Sequence, residues 1–70
     1  MQTSARNQLQ GRVTAIHPGA VNADVVLELP GGTTLSAIIT NESLDHLGLE
    51  IGQPARAVFK AGSVILGVNA

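Results

Sequence analysis

Apolar and polar residues alternate along five stretches of this 70-residue chain, and this period of two limits the possible folds more than any other feature. The alternation predicts the following inward-facing residues: Leu9, Val13 and Ala15; Ala23, Val25, Leu27 and Leu29; Leu35, Ala37 and Ile39; Ala55, Ala57 and Phe59; Val64, Leu66 and Val68. Nearly all are small or branched aliphatic residues, which suit a pleated sheet. The pattern therefore predicts five strands.

The segments between these stretches predict how the strands are connected. "PGG" at residues 30–32 is typical of a hairpin turn between the second and third strands. "NESLDHLGL" has helical spacing through Leu44 and Leu47, and Gly48 is well placed to end a short helix. Five strands with one short helix between the third and fourth predict an all-β fold, a five-stranded OB-like Greek-key barrel, as a single domain over residues 1–70.

A chain of this length buries little surface, so we expect it to gain stability from association. It contains no cysteine, and His17 and His46 are its only histidines, so disulfides and a structural metal are not expected. The outward face of the predicted sheet carries Val26, Ile38, Val58 and Ile65. A contiguous apolar patch of this kind favours a subunit interface over harmless exposure.

Charge and aromatic content disfavour nucleic acid as a partner. The chain has four lysines and arginines, five acids and a net charge of −1, with Phe59 as its one aromatic residue. A nucleic-acid binder needs a basic surface and rings on which bases can stack. No apolar stretch approaches the length of a membrane span, and no charged leader precedes an apolar run, so we expect no membrane partner and a cytoplasmic location.

The sequence does not indicate an enzyme. Neither histidine is accompanied by a nucleophile and an orienting acid at a recognisable spacing, and the acids form no pair suited to general acid and base catalysis. "PGGTT" resembles a phosphate-binding loop only superficially, because the lysine and the following helix of a P-loop are missing.

Three stretches at the ends of predicted elements instead combine hydroxyl groups with a cation or a helix start. They are "SAR" at residues 4–6, "TNES" at 40–43 and "KAGS" at 60–63. Helix capping by Thr40 or Asn41 and a solvated Lys60 are the ordinary alternatives for two of them. A tetrahedral dianion offers only acceptors, so its site should contain hydroxyls, amides and cations without carboxylates. Ser4, Arg6, Thr40, Ser43 and Lys60 match that description.

These stretches also carry a family resemblance. "TSARNQLQGRV", "GAVNADVVLEL", "LSAIITNESLDHLGL" and "FKAGSVILG" resemble the molbindin or Mop family of molybdate-binding modules over nearly the whole chain. The resemblance implies an OB-like subunit that assembles as a homohexamer, a trimer of dimers. It further implies that molybdate or tungstate binds between subunits for intracellular storage and homeostasis, without an organic cofactor.

When the family's site residues are carried over motif by motif, the resemblance implies these molybdate-binding residues: Ser4, Ala5, Arg6, Thr40, Ser43 and Lys60. It implies a second kind of site near the symmetry axis of the assembly, which we assign to Val21 and Asn22 of "GAVNA"; an ordinary loop leading into the second strand is the alternative. The main alternative function is a non-enzymatic oligomerisation or regulatory module whose anion site is vestigial or takes another ligand.

Overall fold

The computed structural model describes residues 3–69, which form a mostly-β fold with one short helix. The elements are β1 (Asn7–Pro18), β2 (Asn22–Glu28), β3 (Thr34–Thr40), α1 (Asn41–Leu47), β4 (Pro54–Phe59) and a 3₁₀ turn (Ala61–Ser63). The predicted helix and the first four predicted strands are thus present in the predicted order. No helix within residues 3–69 is long and apolar enough to span a bilayer.

The strands form one antiparallel sheet with the order β3-β2-β1-β4. β1 is central because its second half pairs with β2 while its first half pairs with β4. β3 and β4 are therefore the edge strands. The sheet curls so that residues of both edges line one shared cleft.

The small core lies inside this curl. Val13, Ala23, Val25 and Leu27 are buried, and half-buried residues from β3, α1 and β4 pack against them. The inward residues predicted within the observed bounds of β2, β3 and β4 are all buried or half-buried, whereas Leu29, predicted for the second strand, lies beyond the end of β2. Local alternation was sufficient there because these three strands are regular along their paired length.

β1 departs from simple alternation. Its register with β2 shifts between Val13 and Ala15, which is a β-bulge at Thr14. After the bulge Ile16 is paired with Val25 and packs against the core, whereas Ala15 lies opposite the outward Val26. The predicted inward position of Ala15 is therefore wrong, because an extra residue in one strand exchanges the two faces beyond it.

The ends of α1 agree with the predicted signals. Thr40 is the N-cap, and Gly48 ends the helix in the left-handed conformation with φ 63°. The amide of Gly48 donates to the carbonyls of Leu44 and Asp45, which satisfies groups that the helix itself leaves unpaired. Leu44 packs against the core, while Leu47 is exposed.

The fifth predicted strand is not part of the sheet. Residues 64–69 belong to no strand, and Leu66 and Val68 are 90% and 95% exposed. The fold in a single chain is a curled four-stranded sheet with one helix, so the predicted five-stranded barrel is not confirmed. Of the predicted outward patch, Ile38, Val58 and Ile65 are exposed and Val26 is half-buried.

Candidate functional site

Four of the predicted anion-binding residues lie together at one end of β1. We call Ser4, Ala5, Arg6 and Lys60 the cation group. Asn7 begins β1 and is paired with Phe59, the last residue of β4, so Arg6 and Lys60 are adjacent continuations of paired strands. Ser4, Arg6 and Lys60 are exposed and Ala5 is half-buried. The register thus places two cations and one hydroxyl at the same end of the sheet.

The backbone around the cation group is ordered by local hydrogen bonds. The amide of Ala5 donates to the Thr3 hydroxyl at 3.2 Å, which curves the chain just before β1. On the other strand, the amide of Ser63 donates to the carbonyl of Lys60 at 2.9 Å and closes the 3₁₀ turn. Arg6 therefore directly precedes the start of β1, and Lys60 directly follows the end of β4. Both side chains are exposed to solvent.

Thr40 and Ser43, which we call the helix-start group, lie where β3 becomes α1. The amide of Ser43 donates to the Thr40 hydroxyl at 3.0 Å, and that hydroxyl donates to the Ser43 hydroxyl oxygen at 2.8 Å. The single proton of the Thr40 hydroxyl is therefore used inside the pair. The Ser43 proton is left to donate outward, so Ser43 is the member of the pair that can bind an acceptor.

The predicted second site lies beside the helix-start group. Asn22 is paired with Thr40 across β2 and β3, and the carbonyl of Val21 accepts from the amide of Asn41 at 2.8 Å. The Val21 side chain is 69% exposed and that of Asn22 is exposed as well. The structure thus brings Val21, Asn22 and Thr40 together, a proximity that sequence spacing alone does not reveal.

Asn41 is the residue whose positioning role the sequence interpretation missed. Its side-chain amide donates to the carbonyl of Gly19 at 2.8 Å, so together with its backbone bond it ties the loop at residues 19–21 to the start of α1. Its carbonyl oxygen is buried and has no hydrogen-bond partner among residues 3–69. The available signal is its place beside the cap in "TNES", where the sequence by itself suggests only a capping role.

A single chain keeps the two groups apart. The cation group lies next to Asn7, the first residue of β1. Pro18, at the other end of β1, is paired with Ala23, which is paired in turn with Ile39, the neighbour of Thr40. The two groups are therefore at opposite ends of β1, and none of the hydrogen bonds formed by residues 3–69 joins them.

Comparison with known proteins adds a family to this geometry. The model of the TOBE domain matches residues 3–66. A probable molybdenum-pterin-binding protein of Haemophilus influenzae is 46% identical over 69 residues, which cover 99% of this chain and 100% of that protein. The chain is also 51% identical over 66 residues, or 94% of its length, to the molybdenum transport protein ModE of Herbaspirillum seropedicae, but it spans only 24% of ModE.

A solved structure shows the same similarity in three dimensions. It is that of the cytoplasmic molybdate-binding protein ModG with molybdate bound, and it superposes with a TM-score of 0.93 at 51% identity. The match covers 99% of this chain and 49% of the ModG chain. The curled sheet described above is thus shared with ModG, a molybdate-binding protein of known structure.

Proposed function

This chain belongs to the TOBE domain family, together with the small molybdenum-pterin-binding (Mop) proteins, and from that premise we propose that it binds molybdate reversibly. The observation that carries the proposal is the donor set of the two groups. The six residues supply two cations, three hydroxyls and backbone amides, and none of them has a carboxylate. Such a set suits a dianion that only accepts hydrogen bonds.

The separation of the two groups supports a site shared between copies of the chain. Within one copy the cation group and the helix-start group are at opposite ends of β1. A second copy can bring its cations to the first copy's helix start, where the exposed Ser43 keeps a hydroxyl proton that it can donate. We propose that the working assembly is a homohexamer, a trimer of dimers, with molybdate at its subunit interfaces.

The proposed chemistry is recognition without reaction. Molybdate and tungstate have nearly the same charge and size, so the site should accept both. Phosphate near neutral pH often carries a proton that requires an acceptor, and a site without carboxylates does not provide one. We assign the module, residues 1–70, to storage and homeostasis of the oxyanion in the cytoplasm, with no catalytic role and no nucleic-acid or membrane partner.

Val21 and Asn22 form the proposed second kind of site, near the symmetry axis of the assembly. Asn41 supports it by fixing the preceding loop through its bonds to Gly19 and Val21. The loop therefore presents the same backbone surface from each copy. Symmetry-related copies of this surface would together form one shared binding site on each symmetry axis of the assembly.

The decisive experiment is calorimetric titration with molybdate, tungstate, sulfate and phosphate, with the mass in solution measured by light scattering. We expect selective heat with the first two anions. In the double variant R6A/K60A we expect affinity to fall by on the order of a hundredfold, since hydrogen bonds to charged groups contribute about 1.5–3 kcal/mol each.

The matched control is R12A/R56A, which changes the net charge by the same amount at positions outside the two groups. It should keep its affinity. Unchanged binding in R6A/K60A would refute the assigned site. If the unaltered oligomer gives no heat at all, molybdate binding is refuted and the module serves assembly.

A further inference from the structure

The turn that joins β1 to β2, at residues 19–22, is closed by one backbone hydrogen bond where a tight hairpin has two. The amide of Gly19 donates to the carbonyl of Asn22 at 2.7 Å. The reverse bond, from the amide of Asn22 to the carbonyl of Gly19, does not occur among the hydrogen bonds of residues 3–69. The two backbones are close, because a Cβ on Gly19 would stand 2.9 Å from the carbonyl oxygen of Asn22. Distance therefore does not explain why this turn is open.

The carbonyl of Gly19 is instead bound by a residue of another element. The side-chain amide of Asn41 donates to it at 2.8 Å, and the backbone amide of Asn41 donates to the carbonyl of Val21, also at 2.8 Å. Asn41 is the first residue of α1, directly after the N-cap Thr40. Hydrogen bonds weaken steeply when they are poorly aligned, so a carbonyl that accepts from Asn41 is badly oriented to accept from Asn22.

The open turn leaves three consecutive backbone amides free to donate. The amides of Ala20, Val21 and Asn22 have no hydrogen-bond acceptor in the described part of the chain, residues 3–69. All three residues are exposed. Successive amides of a turn can together bind an anion. The turn is therefore set up to donate to a ligand, provided that the Asn22 amide is not used to close it.

The other half of the Asn41 side chain indicates a role beyond stability. Its carbonyl oxygen is buried and lacks a hydrogen-bond partner within residues 3–69. A buried acceptor without a partner destabilises the folded chain. A leucine has a similar volume and would fill this place without an unpaired acceptor. Support of the loop by packing alone therefore does not require asparagine.

We propose that Asn41 is a positioning residue for the second site. By binding the Gly19 carbonyl it prevents that carbonyl from closing the turn, and the Asn22 amide stays available to the oxyanion. The turn thus has a closed state, joined by an Asn22–Gly19 bond, and an open state held by Asn41; the anion selects the open state. This inference rests on the proposed site at Val21 and Asn22 and adds the residue that prepares it, since Asn41 itself does not contact the anion.

Amide hydrogen exchange, followed by NMR on isotope-labelled protein without molybdate, tests the two states. In N41L the Gly19 carbonyl loses its partner, so the turn should close and the Asn22 amide should exchange about tenfold more slowly, as one added hydrogen bond predicts. Loss of a mere support would loosen the turn and speed exchange at residues 20–22. Unchanged or faster exchange at Asn22 would overturn the proposal. N41A removes the same donor without filling the space and should also slow exchange at Asn22.

Molybdate added to the same samples separates this role from the proposed function. In the unaltered chain the amide signals of residues 20–22 and of Ser43 should both shift, whereas in N41L only that of Ser43 should respond. Shifts at residues 20–22 that persist in N41L would overturn the positioning role, as would loss of the Ser43 response. If neither region responds in the unaltered chain, the proposed function is wrong, and the exchange rates measured without molybdate show this to be a separate failure.

The matched control is Q53L, because Gln53 is a second carboxamide that supports a turn. Its side-chain oxygen accepts from the amide of Glu50 at 3.0 Å. Q53L should leave the exchange of the Asn22 amide and the molybdate response of residues 20–22 unchanged. Equal changes in Q53L and N41L would trace both to general loosening of the chain and would refute a specific role for Asn41.

Discussion

At the scale of single residues, Thr40 and Ser43 show how two neighbouring hydroxyls acquire different roles. The Thr40 oxygen accepts the amide of Ser43 and its proton is donated to the Ser43 oxygen. Thr40 is therefore committed to the start of α1. Ser43 receives one bond and keeps its own proton, so a ligand can be added without breaking the cap.

This division predicts opposite consequences for two small substitutions. T40A removes the cap and should lower the free energy of unfolding by about 1 kcal/mol. S43A leaves the cap acceptor in place but removes the outward donor. It should weaken molybdate binding by roughly tenfold or more, because a hydrogen bond to a charged group contributes about 1.5–3 kcal/mol.

Urea unfolding without ligand and calorimetric titration separate the two effects. T40A should move the unfolding midpoint more than S43A, and S43A should be the variant whose molybdate affinity falls at equal folded fraction. If S43A binds molybdate as tightly as the unaltered chain, the Ser43 hydroxyl does not contact the anion.

At the scale of elements, β1 organises the sheet because it changes partner along its length. Gly11 lies where β1 passes from its pairing with β4 to its pairing with β2, and a Cβ there would stand 2.7 Å from the carbonyl oxygen of Glu28. That atom is backbone and cannot rotate away. The close approach of the two strands therefore depends on glycine at this position.

G11A should accordingly destabilise the chain by about 1–3 kcal/mol, the usual cost of forcing extra volume into a packed region. G62A is its matched control, because a Cβ at Gly62 meets no atom within 4 Å and the residue lacks a positive φ. Urea unfolding followed by circular dichroism compares the two. Equal stability of G11A and G62A would show that β1 and β2 can separate at this point without cost.

The same elements show how far local pattern predicts this fold. β2, β3 and β4 follow the alternation, and the caps of α1 lie at Thr40 and Gly48 as expected, because these features depend on neighbouring residues. The bulge at Thr14 has no signature in the alternation. Residues 64–69 have the pattern of a strand, but pairing requires an open edge in the right place, and periodicity does not contain that information.

At the scale of the whole molecule, the candidate site was predictable in chemistry and unpredictable in arrangement. Hydroxyls and cations without acids could be identified along the sequence. Their division into two groups follows from β1, which is twelve residues long and carries one group near each end. The pairing of β1 with β4 is what shows that Arg6 is near Lys60, and the backbone bond from Asn41 to Val21 is what joins those two residues.

A site divided in this way links ligand binding to assembly. If molybdate binds only where two copies meet, it stabilises the assembled state by mass action, by about 2.7 kcal/mol per site at a free concentration one hundred times the dissociation constant. With one site per chain, molybdate should therefore raise the melting temperature by about 10 °C or more and shift the mass distribution toward the oligomer at low protein concentration.

Calorimetry or circular dichroism must follow this melting, because the chain has no tryptophan or tyrosine to report by fluorescence. Sulfate at equal ionic strength controls for screening of charge. R6A/K60A should lose most of this rise, since a hundredfold weaker site gains only about 0.4 kcal/mol at the same molybdate concentration. An equal rise with sulfate would show a general salt effect, and an equal rise in R6A/K60A would place the anion elsewhere on the assembly.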